Sequence, residues 1–164
     1  MPAVRWLSAS SHSGHDTAEA VRAIADLRSP QTWYPQARRM QRKWVVHIGP
    51  TNSGKTYQAL SRLANAENGV YCGPLRLLAW EVHEKLCDGV ITGHRVACDL
   101  LTGQEQVLFA NAMHRASTIE MVDLKKCVDV AVIDEVQMVA SPDRGWAWTR
   151  ALLGLPAREL HLCG

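Results

Sequence analysis

The sequence predicts an α/β protein: a parallel sheet with helices on both faces, wrapped around a phosphate-binding loop. Three observations carry that prediction. Apolar segments of four to six residues alternate with helical segments, the pattern of strands buried on both faces. Residues 49–56 have G-x-x-x-x-G-K-[ST] spacing and lie between a strand and a helix. The most apolar strand, 128–133, ends in the carboxylate pair Asp134-Glu135.

The elements follow in order. Residues 1–15 hold Arg5, four serines and no acid, a composition faintly like an organelle transit peptide. Asp16, Glu19 and Asp26 follow quickly, so residues 1–25 read as tail and helix, with the tail at 1–15 and a helix at 17–27 stopped by Ser29-Pro30. A basic irregular stretch, 31–42, contains Trp33 and Tyr34, which are placed to flank adenine or, the favoured expectation, to pack under the sheet edge. A strand at 44–48 leads into the glycine loop and a helix at 56–64. A strand at 69–72, the turn Gly73-Pro74 and a helix at 75–86 come next. Val90, Ile91 and Val96 suggest a further strand or strand edge, and 107–113 a short helix. The strand 128–133, a helix at 147–153 and a last strand at 159–162 complete the reading.

Bulk properties bound the function. Eighteen basic and sixteen acidic residues give a net charge of +2, too small to bind nucleic acid over the whole surface, so any such site is local. The five cysteines have no C-x-x-C pair, which implies neither a zinc site nor a disulfide framework. No apolar run approaches the roughly 18 residues that span a bilayer, so no membrane association is expected.

The loop Gly49-Pro50-Thr51-Asn52-Ser53-Gly54-Lys55-Thr56 supplies what a nucleotide needs. Gly49 and Gly54 let the backbone curl without an obstructing Cβ. The N–H groups of the curl and the helix N-terminus then point at phosphates. Lys55 reaches the β- and γ-phosphates, and the Thr56 hydroxyl ligates Mg²⁺. At the acidic strand end, Asp134 suits a metal role and Glu135 the role of general base toward water. Adjacent strand residues point to opposite faces, so both reach the site only if the chain turns there. The expected cofactors are ATP and Mg²⁺.

Further motifs extend this. The phosphate loop, Pro74-Leu75-Arg76-Leu77-Leu78-Ala79, Thr102-Gly103-Gln104-Glu105, Ser117-Thr118-Ile119-Glu120-Met121 and Asp134-Glu135-Val136-Gln137-Met138 follow one another as helicase motifs do. With residues 27–35, 144–154 and the ending His161-Leu162-Cys163-Gly164, they resemble the mitochondrial degradosome RNA helicases, the Suv-three type of DExH-box protein, from about residue 26 onward.

The resemblance implies a RecA-like motor domain at 26–164, the first of two. It implies RNA as the track and mitochondria as the location. An exoribonuclease is implied as a partner, and a second RecA-like domain, expected outside this chain, as the source of the arginine finger. It assigns RNA-backbone contacts to Pro74, Arg76, Thr102, Gly103 and Thr118, and γ-phosphate sensing to Gln137 beside Lys55 and Glu135. Arg144 and Arg150 are expected not to reach the phosphate. Trp148 and Trp146 are expected in the core or at an interface with the second domain. Two alternatives stand beside the helicase reading: a nucleoside kinase of the thymidine kinase type, and a nucleotide-occupied module that is catalytically silent.

Overall fold

The computed structural model describes residues 33–50 and 53–164. The expected helix at 17–27, the transit-like stretch, Thr51 and Asn52 lie outside the described residues. The body at 34–164 contains four α-helices: α1 (Pro35–Arg39), α2 (Lys55–Ala64), α3 (Arg76–Cys87) and α4 (Gly145–Gly154). Its strands are β1 (Lys43–His47), β2 (Gly69–Gly73), β3 (Cys98–Leu101), β4 (Gln106–Val107), β5 (His114–Thr118), β6 (Val128–Ile133) and β7 (Ala157–Cys163). Two short 3₁₀ turns cover Ile119–Met121 and Val136–Ala140.

The strands form one sheet in the order β1-β7-β6-β2-β5-β3-β4. Every pairing is parallel except the last, where β4 runs antiparallel to β3. The period of two along each strand sends side chains to two separate cores. Val130 and Val132 of β6 and Tyr71 of β2 face Leu63 of α2 and Val82 and Leu86 of α3. Ala131 and Ile133, with Val70 and Cys72, face Ala147, Trp148 and Ala151 of α4. Helices therefore cover both faces of the sheet, as the alternation of apolar segments predicts.

Three expectations are corrected. The stretch 31–42 is not wholly irregular, since Pro35–Arg39 form α1 with Pro35 at its first turn. Val90, Ile91 and Val96 do not form a strand. The N–H of Gly89 bonds to the Leu86 carbonyl and that of Val90 to the Lys85 carbonyl, which closes α3 in a Schellman motif with Gly89 at φ 74°. Val90 is thus the residue after a helix cap and stays exposed, while Ile91 turns into the core. The segment 107–113 is not helical. It begins as β4 and then turns back, held by the Phe109 N–H on Asp99 Oδ1 at 3.0 Å.

The sequence pattern did not anticipate β3 and β5 because polar residues interrupt them. Those residues find partners inside the fold, although Arg115 Nε is buried without a hydrogen bond. Asp99 and Arg115 are register partners on β3 and β5 and form an ion pair at 3.2 Å. His114 Nε2 lies 3.0 Å from the Leu63 carbonyl, and Ser117 Oγ donates to the Tyr71 carbonyl at 3.4 Å.

Candidate active site

The carboxyl ends of the parallel strands share one edge of the sheet, where ligands of such folds sit. Gly49 follows β1, Gly164 follows β7, Asp134 follows β6, Pro74 follows β2, Thr118 ends β5 and Thr102 follows β3. In sheet order, the phosphate loop and the acidic pair occupy one half of this edge. The residues that the resemblance assigns to RNA occupy the other half.

The first half forms a cleft of about 440 Å³ lined by Gly49, Ser53, Gly54, Lys55, Thr56, Tyr57, Asp134, Glu135, Gln137 and Gly164. Gly54 caps α2 at φ 80°, a left-handed conformation that glycine adopts without a steric penalty. The Lys55 ammonium lies on the carbonyls of Gly49 and Pro50, the latter at 2.8 Å. Thr56 Oγ1 stands 3.5 Å from Asp134 Oδ1. A hydroxyl and a carboxylate side by side are hard oxygen donors. Such a pair fits Mg²⁺ completed by water and phosphate, not a cage made wholly of protein ligands. No group of three or more His, Cys, Asp or Glu residues placed to hold a metal ion occurs among the described residues.

Asp134 is held at every polar atom. Its N–H donates to the Cys72 carbonyl at 3.0 Å, and its carbonyl accepts the Trp148 indole N–H at 3.0 Å. Its Oδ2 accepts the Tyr71 hydroxyl at 2.8 Å, and its Oδ1 accepts the Glu135 N–H at 3.0 Å. Burial pushes its carboxyl above the ordinary range, opposed by the hydrogen bonds from Tyr71, Glu135 and Thr56.

Glu135 then adopts φ 51°, ψ 48°. This left-handed residue breaks the strand alternation, so that Asp134 and Glu135 both line the cleft. The Gln137 amide donates to the Glu135 carboxylate. Burial also pushes the Cys163 thiol, at the end of β7, up to about 12, which leaves it protonated.

On the other half of the edge, Arg76 opens α3 exposed and contacts the Gln104 side chain. Thr102 is buried, and its hydroxyl is already engaged. It accepts the N–H groups of Gln104 and Glu105 at 3.4 and 3.0 Å and donates to the Glu105 carbonyl at 3.1 Å. Gly103 is exposed, Thr118 half-buried and Pro74 buried.

Four residues hold this edge together in ways that the sequence did not indicate. Arg144 donates to Glu120 Oε1 through Nε and Nη2 at 2.9 and 2.7 Å, and to the Pro74 carbonyl at 2.7 Å. It thus ties the turn after β2 to the 3₁₀ turn after β5. Arg150 donates to the carbonyls of Glu120 and Val122. Tyr71 and Trp148 hold Asp134. A hint was available for both aromatics, since a buried phenol or indole needs a polar partner. Trp146, by contrast, is exposed.

A glycine loop at a helix N-terminus and an Asp-Glu pair at the next strand but one in the sheet define a P-loop nucleotide-binding domain of the RecA-like kind. Residues 30–164 match the family described as the DEXQ-box helicase domain of Suv3, and the chain belongs to that family.

Among its relatives is the Arabidopsis thaliana DExH-box ATP-dependent RNA helicase DExH16, mitochondrial, 57% identical over 141 residues, which are 86% of this chain and 24% of the relative. Another is the Homo sapiens ATP-dependent RNA helicase SUPV3L1, mitochondrial, 53% identical over 153 residues, 91% of this chain and 19% of the relative. The chain spans about a fifth to a quarter of the length of these relatives. Membership of a helicase family sets aside the nucleoside-kinase alternative.

Proposed function

We propose that this chain is the ATP-binding first motor domain of a mitochondrial RNA helicase, coupling ATP binding and hydrolysis to the binding and unwinding of RNA. One observation carries the reading: Lys55 and Thr56 line the same cleft as Asp134, Glu135 and Gln137.

The loop N–H groups and Lys55 hold the phosphates. Thr56 and Asp134 hold Mg²⁺, which neutralises charge on the transferred phosphoryl group. Glu135 takes a proton from the attacking water, and the Gln137 amide fixes the Glu135 carboxylate. Pro74, Arg76, Gly103 and Thr118, with the turn shaped by Thr102, contact the RNA backbone, so recognition is indifferent to sequence. The names of the relatives support RNA as the track and mitochondria as the location. A second RecA-like domain and an exoribonuclease complete the assembly.

Lys55→Ala removes a charge-assisted contact and is expected to weaken ATP–Mg²⁺ binding about 10–100-fold, measured by calorimetric titration of the folded variant. Unchanged affinity would remove the phosphate loop from the site.

A second reading, a nucleotide-binding module that is silent by itself, is favoured by Arg144 and Arg150. Both guanidiniums are engaged with Glu120 and backbone carbonyls. An arginine at the γ-phosphate contributes about 10³–10⁵ in rate in related sites. Steady-state ATPase activity measured with the second RecA-like domain joined to this one separates the two readings: turnover stimulated by single-stranded RNA supports the motor, and its absence supports the silent module.

A further inference from the structure

We infer that Tyr71 is a positioning residue for the metal-side carboxylate of Asp134, and that Gly73 exists to give Tyr71 the room to do it. The inference rests on the nucleotide–metal reading above and names the group that makes it work.

Tyr71 lies in the middle of β2, fully enclosed, on the face covered by α2. Its hydroxyl donates to Asp134 Oδ2 at 2.8 Å. That contact settles which oxygen faces the loop. Oδ1 is left toward Thr56 Oγ1 at 3.5 Å, while also accepting the Glu135 N–H. The last torsion of an aspartate is broad and two-fold. Without the phenol, the carboxylate is free to rotate and the buried Oδ2 loses its donor. Burial, reinforced by the charge of Asp134, raises the phenol far above its ordinary value, so Tyr71 donates a proton at any working pH.

Gly73 provides an independent observation. It is two residues along the strand, on the same face as Tyr71. A Cβ there would stand 2.8 Å from the Tyr71 hydroxyl oxygen, 2.9 Å from Cε1 and 3.1 Å from Cζ. Its φ is not in the left-handed region, so the backbone does not require glycine. The space does, and Tyr71 fills it on its way to Asp134.

The test is calorimetric ATP binding by the 164-residue chain across a Mg²⁺ series and in EDTA, for the wild type, Tyr71→Phe and Gly73→Ala. Outer-shell partners of metal ligands change metal affinity by about 10–100-fold. Tyr71→Phe is therefore expected to raise the half-saturating Mg²⁺ concentration about tenfold while leaving ATP affinity in EDTA unchanged. Gly73→Ala, which keeps the phenol but displaces it, is expected to shift the Mg²⁺ dependence in the same direction. Variants that track the wild type at every Mg²⁺ concentration overturn the inference alone. An equal loss in EDTA also overturns it, because it marks a general structural defect. A wild type that takes up no ATP overturns the reading of the site and this inference with it.

Discussion

His47 Nε2 lies 2.7 Å from His161 Nδ1, joining the strand that enters the phosphate loop to the strand beside it. His161 Nε2 lies in turn 2.7 Å from Glu159 Oε1. The network assigns the protons. A carboxylate only accepts, so His161 donates from Nε2 and accepts at Nδ1, and His47 donates from its own Nε2. Lys43 at 3.6 Å and Arg62 at 3.3 Å are the cations facing Glu159. Burial raises the Glu159 carboxyl, but His161, Arg62 and Lys43 outweigh it and hold it below its usual range.

This arrangement predicts a loss of stability in mild acid. Burial first, then the neighbouring His161, lowers the His47 pKa below its ordinary 6.5. Burial likewise lowers that of His114 below 6.5. A histidine depressed in the folded state is protonated more readily in the unfolded chain, so stability rises with pH through that window. The contribution is fully present above 6.5 and is lost as pH falls below it. Glu159 adds a loss at still lower pH, as pH drops through its depressed value. Asp134, shifted upward, runs the opposite way above its ordinary 3.8. Urea unfolding between about pH 5 and 8 is expected to show a plateau above 6.5 and a decline below it. His47→Gln should flatten that decline; a slope identical to the wild type removes His47 as its source.

Glu135 carries a second prediction, that function here is held against stability. An L-residue in the left-handed region is disfavoured by about 1–2 kcal/mol, and glycine escapes this. Glu135→Gly is therefore expected to be more stable than Glu135→Ala by about 1 kcal/mol, although both lose the carboxylate. Equal unfolding midpoints in urea would show that the φ of 51° carries no strain. Glu135→Gln, which keeps the side chain's shape, should bind ATP–Mg²⁺ like the wild type, because the proposed metal ligand is Asp134 and not Glu135.

How far the sequence could be read depends on where each signal is stored. The phosphate loop and the acidic pair were legible because their chemistry fixes residue types at fixed spacing beside apolar strands. The alternation of segments revealed a sheet with two covered faces. β3 and β5 were not legible, because Asp99, Arg115 and His114 look like surface residues until their partners on other elements are known. Val90 read as a strand because apolar composition does not distinguish a strand from a residue anchored after a helix cap. The turn that brings Glu135 beside Asp134 is a backbone dihedral with no residue signature, since glutamate has no preference for it. Glu120, in a motif quoted for RNA contact, proves to be the partner of Arg144.

Gly145 carries the last prediction. It is the first residue of α4 and follows the 3₁₀ turn Val136–Ala140, which holds Gln137. A Cβ on Gly145 would lie 2.3 Å from the Val139 carbonyl oxygen, 3.0 Å from the Val139 carbonyl carbon and 3.4 Å from the Met138 carbonyl oxygen. These are backbone atoms, so no side chain can swing aside. Moving α4 is resisted because Trp148 and Ala151 are locked into the second core and the Trp148 indole holds the Asp134 carbonyl. Moving the 3₁₀ turn shifts Gln137 off Glu135. Either way packing is lost. Forcing extra volume into a packed interior typically destabilises by about 1–3 kcal/mol. Gly145→Ala is expected to lower the urea midpoint accordingly, with ATP affinity much less affected, because Lys55 and Thr56 lie on a different element. A Gly145→Ala chain with the wild-type midpoint would show that the turn relaxes freely, and that close contact with α4 does not set the position of Gln137.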